Sequence, residues 1–278
     1  MNNIFELKNV DCQYKSNSHP VLKIKKLNIE KESKTFFIGP SGVGKSTILE
    51  TLGMMNNTML KSSDKDFIAD FIDPLSGGKI NLMKLWGKSE KYISDFRTKH
   101  LSFIFQSTNL FKNLSAFDNV SISAILQGKS KNEAVNRTKN IIKSILPDVS
   151  KDKPIMELSG GQRQRIAFAR AIVSDFSVLF ADEPTGNLDG GNAKNLMNVL
   201  LNNIGGKTAV VVTHDIDLAI LYATKIVFIK RHKGPNAHGI IDENSVYKKD
   251  TNGSWLVNNT IVSGSDLRKL ISSNVMNN

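Results

Sequence analysis

The sequence predicts an α/β fold in which a mainly parallel sheet is flanked by helices. Short, continuous apolar runs of strand length occur at residues 34–38, 177–181 and 208–213, and such runs are typical of strands buried on both faces of a parallel sheet. Helical patterns alternate with these runs, and a glycine-rich loop joins the first run to a helix. This alternation indicates a sheet with helices packed on its faces.

Each element is predicted from its local pattern of apolar residues. Strands are predicted at 4–14, 27–29, 34–38, 101–105, 177–181 and 208–213, and helices from 45, at 131–146 and from 159 to 172. The first two strands have the apolar and polar mixture of an edge strand, which predicts an antiparallel β edge. Pro147 closes the helix before it because proline cannot continue a helix.

The expected domain organisation is one large domain followed by an extension. The domain spans 1–233, and the stretch at about 107–160 is predicted to form an inserted helical subdomain within it. Residues 56–74 are polar and irregular apart from a short apolar cluster. We expect an inserted loop or helix there.

The extension covers residues 234–278. It contains Asn252-Gly253 between two short apolar segments, which predicts a β-hairpin because this dipeptide favours a tight turn. A short helix is expected at 266–271.

Composition narrows the class of protein. The 278 residues include 37 Lys and Arg against 26 Asp and Glu, a net charge of +11, with 40% hydrophobic residues, as in ordinary globular proteins. The single cysteine excludes an internal disulfide and any site built from several cysteines. The start has no secretory signal pattern, and no window approaches the roughly 18 apolar residues of a membrane span. We therefore expect a cytoplasmic chain that does not cross a membrane by itself.

The excess of positive charge alone does not identify a partner. Lys and Arg are scattered, and their densest groups, at 23–26 and 230–233, are short. Such runs more often form a solvated surface than a site for nucleic acid or anionic lipid. We expect no specific binding of nucleic acid.

The glycine-rich loop matches the phosphate-loop pattern G-x-x-x-x-G-K-[ST] at every specified place. Its glycines let backbone N–H groups converge on phosphate oxygens, and the following helix directs its positive end at them. The strand–loop–helix context disfavours a chance glycine turn. The predicted nucleotide-binding residues of this loop are Gly39, Pro40, Ser41, Gly42, Val43, Gly44, Lys45, Ser46 and Thr47.

A divalent cation beside a triphosphate needs carboxylates, and two follow the strand at 177–181. Side chains of neighbouring residues in an extended chain point to opposite faces, so Asp182 and Glu183 take different roles. We assign Asp182 to Mg²⁺ together with Ser46, and Glu183 to an attacking water as general base. The alternative, acids that merely end a strand in solvent, is weak beside a phosphate loop.

The segment 158–162 reads LSGGQ. The chain also contains, in sequence order around it, the phosphate loop, Gln106, Asp182-Glu183, Asn187-Leu188-Asp189 and Thr213-His214-Asp215. In these motifs and their order, over about residues 4–232, the chain resembles the ATP-binding cassette family of ATPases, whose signature the LSGGQ segment resembles. The resemblance implies a P-loop NTPase (RecA-like) core that hydrolyses ATP with Mg²⁺.

The resemblance also implies roles for individual residues. Tyr14 resembles the aromatic residue that stacks on adenine, although a tyrosine packed in its own strand is nearly as good an interpretation. Gln106 resembles the glutamine that touches Mg²⁺ and the lytic water. His214 resembles the histidine that contacts the γ-phosphate, and Asp189 resembles the acid whose loop signals across a dimer.

The signature has a physical interpretation of its own. Ser159 can cap a helix, and Gly160 and Gly161 leave its N-terminal amides uncovered, which makes an anion site. The resemblance implies that Ser159, Gly160, Gly161 and Gln162 of one copy close over the ATP held by a second copy, so that two Mg-ATP lie at the interface of a dimer.

The wording DEPTGNLD at 182–189 is similar to a bacterial subgroup that contains lipoprotein-releasing, macrolide-export and cell-division ATPase subunits. It implies a subunit that lies peripherally on the inner face of the cell membrane, forms a homodimer and drives a separate membrane permease in export or translocation of lipoproteins or peptides. Two alternatives remain open. One is an ATPase that regulates a membrane complex without transport, and the other is a soluble ATPase acting on nucleic acid or ribosomes.

Overall fold

The computed structural model describes residues 3–61, 66–147, 149–150, 152–186, 188–234, 236–258 and 260–276. Its strands are β1 (Asn3–Cys12), β2 (Leu22–Glu30), β3 (Lys34–Ile38), β4 (Met59–Lys61), β5 (Ile68–Ile72), β6 (Lys79–Asn81), β7 (Leu101–Ile104), β8 (Val178–Asp182), β9 (Thr208–Val212), β10 (Lys225–Phe228), β11 (Lys230–His232), β12 (His238–Ile241), β13 (Val246–Lys249), β14 (Trp255–Val257) and β15 (Thr260–Val262). Its helices are α1 (Lys45–Leu52), α2 (Leu82–Leu85), α3 (Glu90–His100), α4 (Ala116–Leu126), α5 (Lys131–Ile145), α6 (Gly160–Ile172), α7 (Gly190–Asn203), α8 (Ile216–Tyr222) and α9 (Gly264–Met276). The chain divides into two compact units, one formed by residues up to Asp95 and from Thr208 onward, and the other by Phe96–Lys207.

A mainly antiparallel sheet belongs to the first unit. Its strands follow the order β11-β12-β2-β1-β5-β6, and β4 pairs with the far end of β1. The prediction of an edge strand at 4–14 is wrong, because β1 has paired neighbours on both sides. The cross-strand partners Phe5 and Phe71 stand edge to face with ring centroids 5.4 Å apart, and both are fully buried.

The prediction of an inserted loop or helix at 56–74 is also wrong. Its described residues form β4 and β5, which both pair with β1; residues 62–65 lie outside the described part. Buried Ala69 and Phe71 pair with Leu7 and Phe5, residues more than sixty positions earlier. A short sequence pattern does not contain that information.

A second sheet of the first unit carries the phosphate loop. Its strands follow the order β15-β14-β13-β10-β3-β9, and β10, β3 and β9 are parallel. All five residues of β9 are buried, as predicted for a strand with both faces covered. The loop therefore leaves the carboxyl end of β3, a strand with a parallel neighbour on each side.

The tail after residue 233 continues both sheets of this unit. Strand β12 joins β2 in parallel, and β13 and β14 form an antiparallel hairpin that continues into β15. The turn contains Gly253 with φ of +83°, and the Asp250 carboxylate accepts the N–H groups of Asn252 and Ser254 at 2.9 and 2.8 Å. Helix α9 packs against α8.

The second unit combines a parallel strand pair with a helical bundle. Strands β7 and β8 run parallel in register, with Ile104 beside Ala181. Helices α4, α5 and α6 pack against one another, within and just beyond the stretch at about 107–160 where the sequence predicts a helical subdomain. Ser115 and Ser130 cap the starts of α4 and α5, because each hydroxyl accepts a backbone N–H of the first turn.

None of the helices in the described residues is both long and apolar enough to span a bilayer. Cys12 at the end of β1 is fully buried, and this burial raises the pKa of its thiol to about 12.

Candidate nucleotide site and signature helix

The phosphate loop has a backbone that its glycines make possible. Gly42 and Gly44 have φ of +76° and +91°, in the left-handed region that side chains disfavour, and Gly44 directly precedes α1. A side chain on Gly39 would lie 2.7 Å from the carbonyl oxygen of Ile229. These constraints account for the glycine pattern without any reference to a ligand.

Cationic and hydroxyl groups line the start of α1. The Lys45 ammonium donates to the carbonyl oxygens of Gly39 and Pro40, both at 2.8 Å, so the loop folds around its own lysine. Ser46 is exposed and Thr47 is buried. The first turn of α1 has no acidic residue, and the helix dipole and Lys45 together favour an anion at this end.

Tyr14 follows β1 and lies against α1. Its hydroxyl donates to the Glu50 carboxylate at 2.7 Å and lies 3.2 Å from the Thr47 hydroxyl, and burial raises its pKa to about 12. The ring lines a cavity of about 490 Å³ together with Asn56 and Trp86. Sequence reasoning missed Glu50, the residue that fixes Tyr14; its position one turn beyond Ser46 on α1 was the available signal.

The second unit brings Gln106, Asp182 and Glu183 to one edge of a sheet. Because β7 and β8 are parallel neighbours, the residues that follow them emerge at the same edge. The Gln106 amide nitrogen lies 3.5 Å from an ideal Cβ position on Gly186, whose N–H donates to the Glu183 carbonyl at 3.1 Å. Gln106 therefore borders the turn that Glu183 begins.

Glu183 has an unusual backbone. It has φ of +45°, a conformation that costs a residue with a Cβ about 1 kcal/mol or more. Such strain concentrates at functional sites, where the surrounding structure maintains it. The extended backbone of β8 thus ends at Asp182, and Glu183 begins a turn.

The signature forms the start of α6 as a capping box. The Ser159 hydroxyl accepts the N–H of Gln162 at 3.2 Å, and the Gln162 side chain accepts the N–H of Ser159 at 3.0 Å. A Cβ placed on Gly160 or Gly161 meets no atom of the described residues within 4 Å. The helix start is therefore capped at one side and bare at the other.

One cavity joins the signature to Gln106. It has a volume of about 430 Å³ and is lined by Gln106, Gly160 and Gly161 together with Gln164. Gln164 is 7% exposed, and in the described part of the chain its Oε1 atom accepts no hydrogen bond. Polar groups and helix amides thus line this cavity in the second unit.

The remaining predicted residues lie at helix starts. Asp189 caps α7 and accepts the backbone N–H of Asn192 at 3.0 Å, and hydrogen bonds from Asn192 lower the pKa of its carboxyl. Asn187 lies outside the described residues. His214 is exposed two residues after the end of β9 in the first unit, and Asp215 caps α8.

Comparison with known proteins decides the family. The family model described as ABC transporter matches residues 22–186, which include the phosphate loop, the signature and the Asp182-Glu183 pair. The chain belongs to the ABC transporter family. The match covers the first four motifs of the predicted order, from the loop after β3 to the turn after β8, and ends before Asn187.

Two curated relatives illustrate the match. The chain is 38% identical over 205 residues to the lipoprotein-releasing system ATP-binding protein LolD of Aquifex aeolicus, covering 73% of this chain and 84% of the relative. It is 36% identical over 232 residues to the macrolide export ATP-binding/permease protein MacB of Mannheimia succiniciproducens, covering 82% of this chain. The chain spans only a third of that MacB protein's length.

A solved structure supports the same assignment. The chain is similar to the dimeric structure of MJ0796, a bacterial ABC transporter cassette, at 31% identity and a TM-score of 0.65, covering 81% of this chain and 93% of that one. The same cassette is also known in a dimeric post-hydrolysis state bound to ADP and Pi. The predicted fold class, an α/β P-loop NTPase core with an antiparallel β part and a helical insertion, is confirmed.

Proposed function

We propose that the chain binds and hydrolyses ATP as the nucleotide-binding subunit of a transporter. The observation that carries this proposal is the phosphate loop, whose left-handed Gly42 and Gly44 and inward-folded Lys45 form an anion site at the start of α1. The relative described as bound to ADP and Pi supports the choice of nucleotide. Lys45 exchanges its bonds to loop carbonyls for bonds to the β- and γ-phosphates.

The residues present suit a magnesium ion. Ser46 offers an exposed hydroxyl and Asp182 a half-buried carboxylate, and oxygen ligands of this kind are what Mg²⁺ prefers. When bound, the ion neutralises charge that develops on the phosphates. We assign Ser46, Asp182 and Gln106 to it.

We assign the chemical step to Glu183. Its carboxylate accepts a proton from the attacking water. From the family resemblance we assign Gln106 to that water and His214 to the γ-phosphate. The strained backbone of Glu183 supports this assignment, because a fixed orientation of the base is what in-line attack requires. Tyr14 is assigned to the adenine ring, with its hydroxyl fixed by Glu50.

We propose that the signature acts on the nucleotide of a second copy. Within the described residues no contact explains glycine at 160 and 161, since a Cβ at either position meets open space there. A ligand that arrives from outside does explain it, because bare amides at a helix start bind phosphate oxygens. The dimeric cassette structures support this arrangement, and we assign Asp189 to communication between the copies.

We also propose a membrane permease on a separate chain as partner, with this subunit lying peripherally at the membrane. The names of the lipoprotein-releasing and macrolide-export relatives support an export or lipoprotein-translocating system. Co-purification from detergent-solubilised membranes should yield a stoichiometric integral membrane protein that mass spectrometry identifies. Recovery of RNA or ribosomal proteins in its place would contradict the proposal.

The substitution Glu183→Gln tests the catalytic assignment. The amide has the shape of the carboxylate but cannot accept the proton, so ATP should still bind while turnover falls by about hundredfold or more. ATP-dependent dimers should then accumulate in size-exclusion chromatography with light scattering. The matched control is Glu90→Gln at the exposed start of α3, which should hydrolyse ATP at the parental rate. If Glu183→Gln hydrolyses ATP at the parental rate, Glu183 is not the general base.

A further inference from the structure

The phosphate loop is bordered by a β-hairpin that no sequence motif assigns to it. Strands β11 and β12 pair antiparallel, and their register places Arg231 directly opposite Gly239. Arg231 contacts Ser41 and Gly239 approaches Val43, the residues on either side of Gly42 in the sequence. This contact brings together positions about 190 residues apart in the sequence.

Arg231 contacts the apex of the loop through its guanidinium. The guanidinium donates to the carbonyl oxygen of Ser41, and its Nη2 atom lies 3.5 Å from an ideal Cβ position on Gly42. In the described part of the chain, Arg231 forms no ion pair with a carboxylate. Its charge is therefore directed at the peptide between Ser41 and Gly42.

Gly239 fixes the distance between hairpin and loop. An ideal Cβ on this buried glycine would lie 2.0 Å from the carbonyl oxygen of Val43, so no other residue allows the same approach. The N–H of Gly239 donates to the Val21 carbonyl at 2.8 Å, which ties the hairpin to the strand layer. Arg231 is thus carried on a rigid element rather than on a mobile loop.

The direction of the contact has a consequence for the opposite face of the peptide. In a trans peptide the carbonyl and the following N–H point in opposite directions. A cation on the Ser41 carbonyl therefore directs the Gly42 N–H away from Arg231 and polarises it into a stronger donor. With Lys45 on the Gly39 and Pro40 carbonyls, cationic side chains hold three consecutive loop carbonyls.

We propose that Arg231 is a positioning residue for triphosphate binding: it orients and polarises the Gly42 amide of the phosphate loop. This role rests on the proposed binding of ATP, but the effect on the amide exists without nucleotide. When nucleotide arrives, Lys45 leaves its carbonyls for the phosphates, whereas Arg231 keeps its own. Arg231 then maintains the loop while the lysine moves.

The amide can be observed directly in the nucleotide-free chain. Labelling with ¹³C-carbonyl serine and ¹⁵N glycine selects Ser–Gly peptides by NMR, among them Ser41–Gly42. Arg231→Ala should shift the Gly42 amide resonance upfield, and Arg231→Lys should restore part of the shift because it keeps a cationic donor. Arg268→Ala is the control, since Arg268 is an exposed arginine that pairs with Asp217 on α8. An unmoved Gly42 resonance in Arg231→Ala overturns the proposal, whatever ATP does.

Equilibrium titration with a fluorescent ATP analogue measures the consequence for binding. Arg231→Ala should raise the Kd by about fivefold to tenfold, less than the loss of a whole hydrogen bond to a charged group would, because the Gly42 amide is weakened but not removed. The kcat should stay within about twofold of the parent because the base is untouched. Arg231→Lys should recover more affinity than the neutral donor Arg231→Gln. Equal recovery by Gln, or an unchanged Kd in Arg231→Ala, contradicts polarisation by the charge. If the parental chain binds no analogue while Arg231→Ala still shifts the Gly42 resonance, the proposed function is refuted and only the orientation of the Gly42 amide by Arg231 is supported.

Discussion

The two glycine-rich helix starts of this chain are built for different reasons. In the phosphate loop, Gly42 and Gly44 adopt left-handed backbone, and Gly39 faces a backbone oxygen at a distance that excludes a Cβ. In the signature, a Cβ on Gly160 or Gly161 meets no atom within 4 Å among the residues that the structure describes. The first set of glycines is therefore required by the fold of the chain itself, whereas the second is not, and the proposed contact with a second copy accounts for it.

Because of this difference, the effect of a substitution on stability can be separated from its effect on activity at the two sites. Where the chain demands glycine, substitution should change stability and binding together. Where the chain tolerates a side chain, substitution should change activity alone. Three experiments exploit the contrast, and they follow in order of expected effect.

The largest effect is expected for Gly161→Asp. The new carboxylate fits the chain but repels phosphate, so ATPase activity should fall by about hundredfold or more while the melting temperature and the affinity of the monomer for ATP stay unchanged. Gly87→Asp, the same change at an exposed turn, should keep full activity.

Mixing variants sharpens the same test. Lys45→Ala should bind ATP weakly by itself, since it lacks the charge for the β/γ phosphates. Combined with Gly161→Asp it allows one competent site, formed by Lys45 of one chain and Gly161 of the other. Activity or ATP-dependent heterodimers should therefore return on mixing. Full activity of Gly161→Asp alone would show that the signature does not act on a second copy.

An intermediate effect is expected for Gly39→Ala. Its methyl group would lie 2.7 Å from the Ile229 carbonyl oxygen, so the backbone must shift, at a cost of about 1–3 kcal/mol in the free energy of unfolding. Affinity for the ATP analogue should fall as well. Chemical denaturation measures the first effect and titration the second. The control Gly160→Ala should leave the free energy of unfolding unchanged or slightly raised, and a loss there as large as that in Gly39→Ala would erase the contrast between the two sites.

The smallest effect is expected for the helix caps. Ser159→Ala and Ser130→Ala each remove a hydroxyl that accepts a first-turn N–H, so each should lower the free energy of unfolding by about 1 kcal/mol. Only Ser159→Ala should also lower ATPase activity, because Ser130 caps α5 and belongs to no predicted site. Equal activity of the two variants would reduce Ser159 to a structural cap.

The parts of the fold that sequence predicts well are those whose signal is local. The buried parallel strands, the phosphate loop and the start of α6 each depend on residues within a few positions of one another. The same holds for the turn at Asn252-Gly253. Interactions between residues close in sequence determine these features, so they can be predicted from a single sequence.

The parts that sequence misses depend on pairing between distant residues. Strand β5 is stabilised by β1, and Phe71 is buried because Phe5 lies opposite it. Arg231 belongs to a short basic run that suggests only a solvated surface, yet it contacts Ser41. The residues close in sequence to β5 or to Arg231 do not indicate either of these long-range contacts.

The buried thiol of Cys12 does not compete with an introduced cysteine for thiol-specific labels. It is the chain's one cysteine, it is fully buried at the end of β1, and its raised pKa keeps it protonated and unreactive toward alkylating reagents. A cysteine introduced at an exposed position can therefore carry a dye or a spin label without removal of the native thiol. Slow alkylation of Cys12 itself then becomes a clock for the opening of β1, read by mass spectrometry in the same sample.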